Sequence, residues 1–251
     1  MARSLQDWLA TEVKAARRRP MRWLSERYFF RDPVRPVYSD PQFFFAPADG
    51  ILLYQRVVEP DQELVEIKGR NYTLREALRD PDFPHRCLAI GIFMTSYDVH
   101  VNRAPYAGTL SYRALPVIGT RNRPMLAIEE GLLRGHPIGG PDAAYLFSNQ
   151  RMLNRVHAAR LGLTYYILQI ADYDVATILP FELRQSQPLF QNQRFSQIRF
   201  GSQVDLIIPV TAAVTLECLV PDGFHVEAGI DPLVRVTKTA RSVPTVIEMK
   251  E

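Results

Sequence analysis

The run Arg199-Phe200-Gly201-Ser202-Gln203-Val204-Asp205-Leu206-Ile207-Ile208 decides how the rest of the chain is read. A Gly-Ser pair stands there between two apolar, strand-like stretches, 195–200 and 203–210. Working outward, further short apolar runs separated by turns predict strands at 163–170, 175–181, 214–219 and 233–237. Upstream, 43–46, 51–54, 64–67, 88–94 and 109–115 read the same way. The nineteen prolines cut the chain into short elements and exclude a bundle of long helices. Few helices are expected after residue 30. One is 73–79, where Thr73 can cap and Glu76 holds the capping-box position. The fold class that follows is α+β: a compact, predominantly antiparallel, sheet-rich body with short N-terminal amphipathic helices.

At the N-terminus, residues 3–19 predict a helix with Leu5, Trp8, Leu9, Val13 and Ala16 along one stripe. Arg17, Arg18 and Arg19 follow, and Pro20 ends it. A second short helical piece carries Trp23, Leu24 and the Tyr28-Phe29-Phe30 run. Arginines beside aromatic residues on an amphipathic segment suit a membrane surface; the same stripe also suits packing against the chain's own body. The expected division is therefore 1–36, a helical membrane-surface segment, and 37–251, a catalytic domain. Residues 119–140, rich in Gly, Pro and Arg, read as an irregular loop or lid. Its Arg121, Arg123 and Arg134 either meet a phosphate or lie in solvent.

The chain has 251 residues and a formal net charge of +3, too weak to imply nucleic-acid binding. No run of about 18 uncharged apolar residues predicts a transmembrane helix, and the N-terminus lacks the apolar core of a signal peptide. Cys87 and Cys218 sit in apolar surroundings, which predicts two buried thiols in a reducing compartment. His85, His136, His157 and His225 are scattered without metal-ligand spacing, so no metal is expected and each reads as structural or exposed.

The polar residues of interest stand in turns at predicted strand ends, where a rigid sheet can hold them. Asp49 precedes Gly50, Asp98 and His100 follow the 88–94 run, and Ser202 lies between two runs. A serine becomes a nucleophile with a base and a group to orient that base. His100 is a candidate base, and Asp49 and Asp98 are candidate orienting groups.

Five motifs occur in one order: Ala46-Pro47-Ala48-Asp49-Gly50; Asp98-Val99-His100-Val101-Asn102-Arg103-Ala104-Pro105 with Gly108-Thr109; Asn149-Gln150-Arg151; Leu168-Gln169-Ile170-Ala171; and Arg199-Phe200-Gly201-Ser202. Over roughly residues 43–215 this order and spacing resemble the phosphatidylserine decarboxylase family, most closely its short form. The resemblance implies a self-processing proenzyme. Ser202 attacks the carbonyl of Gly201, the amide becomes an ester, and elimination splits the chain into 1–201 and 202–251. Residue 202 is left as an N-terminal pyruvoyl group, the cofactor. Its carbonyl forms a Schiff base with the substrate amine and accepts the electrons released with CO2.

The resemblance also assigns roles. Asp49 matches the aspartate of self-cleavage, and His100 matches the histidine that supplies the proton in decarboxylation. Arg103 stands where longer members carry a second histidine. A guanidinium is a poor base, so Arg103 is expected to hold an oxyanion, carboxylate or phosphate, or else to pair with Asp98. Gln203 replaces the threonine or arginine that is usual after the serine, and Ser196 replaces a common glycine. The implied substrate is phosphatidylserine, with phosphatidylethanolamine as product, at the cytoplasmic face of the cell membrane as a peripheral protein. The implied partners are the phospholipid, the membrane surface and the chain's own two fragments, and the resemblance allows a homodimer. Two alternatives stay open: a decarboxylase of a related serine lipid or a soluble amino acid, and a non-catalytic membrane-surface protein on the same scaffold.

Overall fold

A computed structural model describes residues 1–36, 39–67, 69–136, 138, 141–173, 178–182, 184–199 and 201–239. A nine-stranded antiparallel sheet organises them. Across it the strands run Arg3–Ser4, Phe224–Val226, Gly50–Val58, Cys87–Met94, Ser202–Pro209, Leu163–Ile170, Arg151–Ala158, Gly108–Leu115 and Gln187–Leu189. Three smaller sheets complete the strands. Ile178–Pro180, Arg194–Ile198 and Val101–Arg103 form one, Val214–Cys218, Pro232–Lys238 and Phe43–Phe45 another, and Val65–Ile67 with Arg70–Tyr72 the last.

The Ser202–Pro209 strand sits at the centre of the large sheet and is buried along its whole length. Ser202 pairs with Met94 and Gln203 with Ile170 on the two sides. A strand covered on both faces reads as a near-continuous apolar run, which is why 203–210 was legible. Its side chains alternate between two cores. Val204, Leu206 and Ile208 join the cluster built on Phe44, Leu52, Ile92 and Tyr165. Ile207 joins the one built on Trp8, Ile51, Phe93 and Ile170. By the same alternation Ser202 faces the first cluster, while Gln203 and Asp205 face the second.

The predicted antiparallel α+β body is what forms, with boundary shifts of one to a few residues. Thr73 caps the helix Leu74–Leu78 by accepting the Glu76 N–H at 3.3 Å. Two predictions for the body are corrected. Residues 119–140 are not wholly irregular, because Leu126–Leu132 is an α-helix that buries Ile128, Glu129 and Leu132. Arg121, Arg123 and Arg134 from this region are exposed. Cys218 is exposed rather than buried; only Cys87 is enclosed. Phe200 and residues 137, 139–140 and 175–177 lie outside the described residues.

At the N-terminus, Arg3–Ser4 pairs with Phe224–Val226 as a strand instead of starting the helix. Ser4 accepts the Asp7 N–H and so caps Leu5–Trp8, which continues through the π-helical turn Leu9–Val13 into Lys14–Arg17. The predicted stripe turns inward. Trp8 and Val13 are buried in the second core, Leu5 and Leu9 pack against it, and Ala16 is buried as well. Any lipid contact by this helix therefore rests on its exposed arginines. Among the described residues no helix is long and apolar enough to cross a membrane.

Candidate active site

The Gly201-Ser202 junction is held from both sides by one other segment. Ser202 opens its strand paired to Met94. Before the junction, the Ile198 N–H donates to the His100 carbonyl at 3.0 Å. The turn 95–99 links these two contacts, and chemistry-bearing side chains gather on and beside it.

Ser202 is fully buried. Its hydroxyl donates to the Met94 thioether at 3.3 Å, a weak acceptor that also receives the Asn102 amide at 3.6 Å. Gly201 is buried and tightly confined. A Cβ placed on it would lie 3.1 Å from Asp172 Oδ2 and 3.5 Å from Glu129 Oε2. What glycine supplies here is space. Gly50 of the Ala-Asp-Gly motif is a different case. At φ +151° its added Cβ would stand 2.1 Å from the Phe93 carbonyl oxygen, so only glycine lets these two central strands approach there.

His100 is fully buried and stacks on Phe29, with ring centroids 4.0 Å apart. Its Nε2 lies 2.9 Å from the Thr95 carbonyl. A carbonyl only accepts, so Nε2 carries the proton and Nδ1 presents a lone pair. Among the described residues that Nδ1 is buried without a partner. Burial pushes the imidazolium down to about 4, against the raising effect of the Thr95 carbonyl. Around neutrality the ring is a neutral base.

Neither candidate orienting carboxylate hydrogen-bonds His100. Asp98 Oδ1 meets His225 Nε2 at 2.6 Å, and Oδ2 accepts both the N–H and the hydroxyl of Thr95 at 2.7 Å each. Burial opposes ionisation of Asp98, but His225 and the Thr95 donors outweigh it and hold the carboxyl below its ordinary range. Asp98 acts on His100 one step removed, by fixing the Thr95 whose carbonyl orients the ring. Asp49 is paired with Arg35 through two contacts of 2.6 Å, and both are buried. Asp49 also accepts the Ala228 N–H at 2.8 Å, and Arg35 donates to the Ala228 carbonyl at 2.6 Å. Arg103 does not pair with Asp98. Its guanidinium donates to the Asn192 carbonyl at 3.2 Å and to Asp32 at 3.3 Å.

Below Ser202, on the same sheet face, lies a buried amide network. Gln169 donates to Asn102 at 2.6 Å and to Ser196 at 3.0 Å, and accepts from Asn154 at 3.0 Å. The Ser196 hydroxyl thereby has a use a glycine could not supply. On the opposite face Gln203 accepts from Tyr145 and donates to Asp205 at 2.6 Å. Burial pushes the Asp205 carboxyl up to about 6, against its Gln203 and Tyr54 hydrogen bonds.

Sequence reasoning missed four members of this neighbourhood: Arg35, Glu129, Asp172 and His225. His225 lies on a three-residue strand far from the motifs, stacked on Trp8 at 4.3 Å. Asp172 did carry a signal, since it follows a predicted strand end as Asp49 and Asp98 do. Glu129 could have been found from Met125, Ile128 and Leu132, whose spacing is that of one helix face.

Comparisons with known proteins point to one family. A family profile described as phosphatidylserine decarboxylase matches residues 27–232. A phosphatidylserine decarboxylase proenzyme of Erythrobacter litoralis is 33% identical over 210 residues, 83% of this chain and 72% of that protein. A Methanocaldococcus jannaschii protein, provisionally named as an archaetidylserine decarboxylase proenzyme, is 28% identical over 192 residues, 76% of this chain and 81% of its own. A phosphatidylserine decarboxylase proenzyme of Chlorobium limicola is 29% identical over 202 residues, 80% and 74% of the two chains.

Proposed function

The chain belongs to the phosphatidylserine decarboxylase family and is a carboxy-lyase, and from that premise we propose that it removes CO2 from the serine head group of a phospholipid through a pyruvoyl group made from its own Ser202. Phosphatidylserine is the first substrate. Archaetidylserine, in the name of one relative, presents a serine head group too.

The proposed maturation uses the chain's own atoms. The Ser202 oxygen bonds to the Gly201 carbonyl carbon, the Gly201–Ser202 C–N bond breaks, and the hydroxyl proton ends on the freed amine. A base then removes the Ser202 α-proton as the Cβ–O bond breaks, and Gly201 leaves as a carboxylate. Water replaces the nitrogen at residue 202, releasing ammonia. The observation that carries this reading is the state of Ser202: a fully buried hydroxyl that, among the described residues, bonds a thioether, beside a glycine and paired to Met94, from which the turn 95–99 leads to His100 with its unpartnered Nδ1. The hydroxyl attacks once a base takes its proton; His100, neutral with a free Nδ1, is the proposed base, and once protonated the later proton donor.

The residues fit a group generated in place. Residue 202 would become the first residue of a central strand laddered on both sides, so scission frees its end without releasing the strand. Asp49 with Arg35 binds Ala228, and Asp98 binds His225. Both contacts would join the large fragment to the small one. The pyruvoyl group supplies an electron-accepting carbonyl for the substrate amine. The protein supplies burial, orientation and the His100 proton.

Access from a bilayer has support at the rim. Phe30, Leu126 and Tyr173 are large apolar side chains exposed at 44, 61 and 56%. Each neighbours a site residue in the chain. Phe29 stacks on His100, the Met125 N–H donates to Asp172, and Tyr173 follows Asp172. Arg199 reaches over Phe30. Exposed apolar residues beside arginines suit the surface of an anionic leaflet, and on this reading the protein is peripheral on the cytoplasmic face.

Intact mass is the first test. Wild type should give fragments divided before residue 202, the smaller without a free amine, and Ser202→Ala should stay whole. Vesicles of phosphatidylserine should release CO2 and free serine should not. Lipid-dependent CO2 release by uncut Ser202→Ala would refute the proposed origin of the reactive group.

A further inference from the structure

Gly201 is flanked by two buried carboxylates, Glu129 and Asp172, exposed at only 5 and 9%. Each is pinned by one oxygen. Glu129 Oε1 accepts the N–H and the hydroxyl of Ser96. Asp172 Oδ1 accepts the N–H groups of Met125 at 2.8 Å and Tyr173 at 2.6 Å. The second oxygens, Glu129 Oε2 and Asp172 Oδ2, face the Gly201 α-carbon, 3.5 and 3.1 Å from where its Cβ would be. The two carboxylates come from separate elements, the Leu126–Leu132 helix and the end of the Leu163–Ile170 strand. The maturation step proposed above has no use for them.

We propose that Glu129 and Asp172 act as a charge selector at the reacting end of Ser202: they expel the carboxylate that scission creates on Gly201 and receive the substrate's ammonium group in its place. This rests on the reading that the chain is cut between residues 201 and 202. In the uncut chain the pair faces a neutral peptide, which carries no charge to repel. Scission changes that. The new carboxylate sits on the same α-carbon, and covalent geometry puts its carbon about 2.5 Å from the Cβ position. Three carboxylates would then crowd a buried space where like charges repel far more strongly than in water. On the Gly201 side the preceding strand ends at Ile198, whereas residue 202 is laddered on both sides, so after scission the Gly201 end is the one proposed to leave. Its departure opens the space beside residue 202.

The same two oxygens then face an incoming head group. A serine phospholipid carries an ammonium, a carboxylate and a phosphate, and only the ammonium is attracted by this pair. It therefore enters amine first, and a carboxylate can take the proton that the amine must lose before it attacks a carbonyl. That proton leaves again in the water released by the condensation, so no other reagent is needed. Burial pushes the Asp172 carboxyl up to about 6, against its backbone hydrogen bonds, so it is ionised at pH 7.5 yet basic enough to accept a proton.

The test uses full-length wild type, Glu129→Gln, Asp172→Asn and the double variant. Both replacements keep the pinned oxygen as an acceptor. Scission is read by intact mass, and release of the Gly201 end by the rate at which a carboxypeptidase trims the large fragment. Amine capture is read as the concentration of short-chain phosphatidylserine that gives half-maximal cyanoborohydride-trapped adduct on the small fragment. All variants should be cut. The double variant should be trimmed at least tenfold more slowly and need at least tenfold more lipid, with the single variants between; if the double variant does not fold, the single ones decide. Equal trimming and trapping in variant and wild type would overturn the proposal, as would failure of folded variants to be cut, since that would place the pair in the cleavage step. A wild-type chain that stays whole overturns the cleavage reading itself and this proposal with it.

Discussion

Replacing Arg35 by methionine should destabilise the protein far more than a typical surface change. In the structure the Arg35 guanidinium meets both oxygens of Asp49 at 2.6 Å, and the side chains are 7 and 4% exposed. The pair also binds both polar groups of the Ala228 backbone. Removing one partner leaves a buried charge without compensation, which costs about 3–5 kcal/mol. For a chain of this size that corresponds to a fall in Tm of about 10 °C. Asp49→Asn should cost a similar amount by stranding the guanidinium. The double variant carries no unpaired charge, so its loss should fall short of the sum by at least about 2 kcal/mol.

The cycle should be measured by urea and thermal unfolding in a Ser202→Ala background, where fragment dissociation cannot enter. Single variants within about 1 kcal/mol of the parent, or a coupling below about 0.5 kcal/mol, would refute the reasoning. In chains that keep Ser202, the same variants address Asp49's part in maturation. If Asp49 acts through its tie to Ala228, Arg35→Met slows scission as much as Asp49→Asn does. If Asp49 acts directly on the scissile bond, only Asp49→Asn abolishes scission.

Three further outcomes are expected. The Asp205 carboxyl, raised to about 6 by burial, favours the fold when protonated. Its contribution is full below its unfolded value of about 3.9 and is lost as pH rises through about 6, so Asp205→Asn should stabilise the protein at pH 7.5 by roughly 1–3 kcal/mol and flatten stability between pH 4 and 6; an unchanged slope would contradict this, after allowing for Asp172, which titrates in the same window. Gly201→Ala must move Asp172 by a few tenths of an ångström, so scission followed by mass should slow at least fivefold, roughly a 1 kcal/mol change in barrier, and an unaltered rate would show that the confinement is unimportant. A thiol reagent should titrate one cysteine in the native protein, Cys218, and two after denaturation, because Cys87 is buried and its thiol is pushed up to about 12; two equivalents in the native state would refute that burial.

The local pattern determined a good deal. The run 203–208, apolar but for Gln203 and Asp205, reads as a strand covered on both faces, and it is the central strand. The Thr73–Glu76 spacing located a cap, and Gly201-Ser202, Asp49, Asp98 and His100 were all named from turns at strand ends. Roles were less legible, because a role depends on which side chain answers which across the fold. Asp98 answers His225, 127 residues away, and Asp49 answers Arg35 and Ala228, while His100 is oriented by a backbone carbonyl. The N-terminal stripe shows the same limit. Its period fixes a helix with one apolar face but not what that face meets, and a protein core and a bilayer present the same chemistry to it. Only the closing of Arg3–Ser4 onto Phe224–Val226 turned Trp8 inward. Residues near in sequence fixed the elements; pairings between residues far apart set the charges, burial and access of the site.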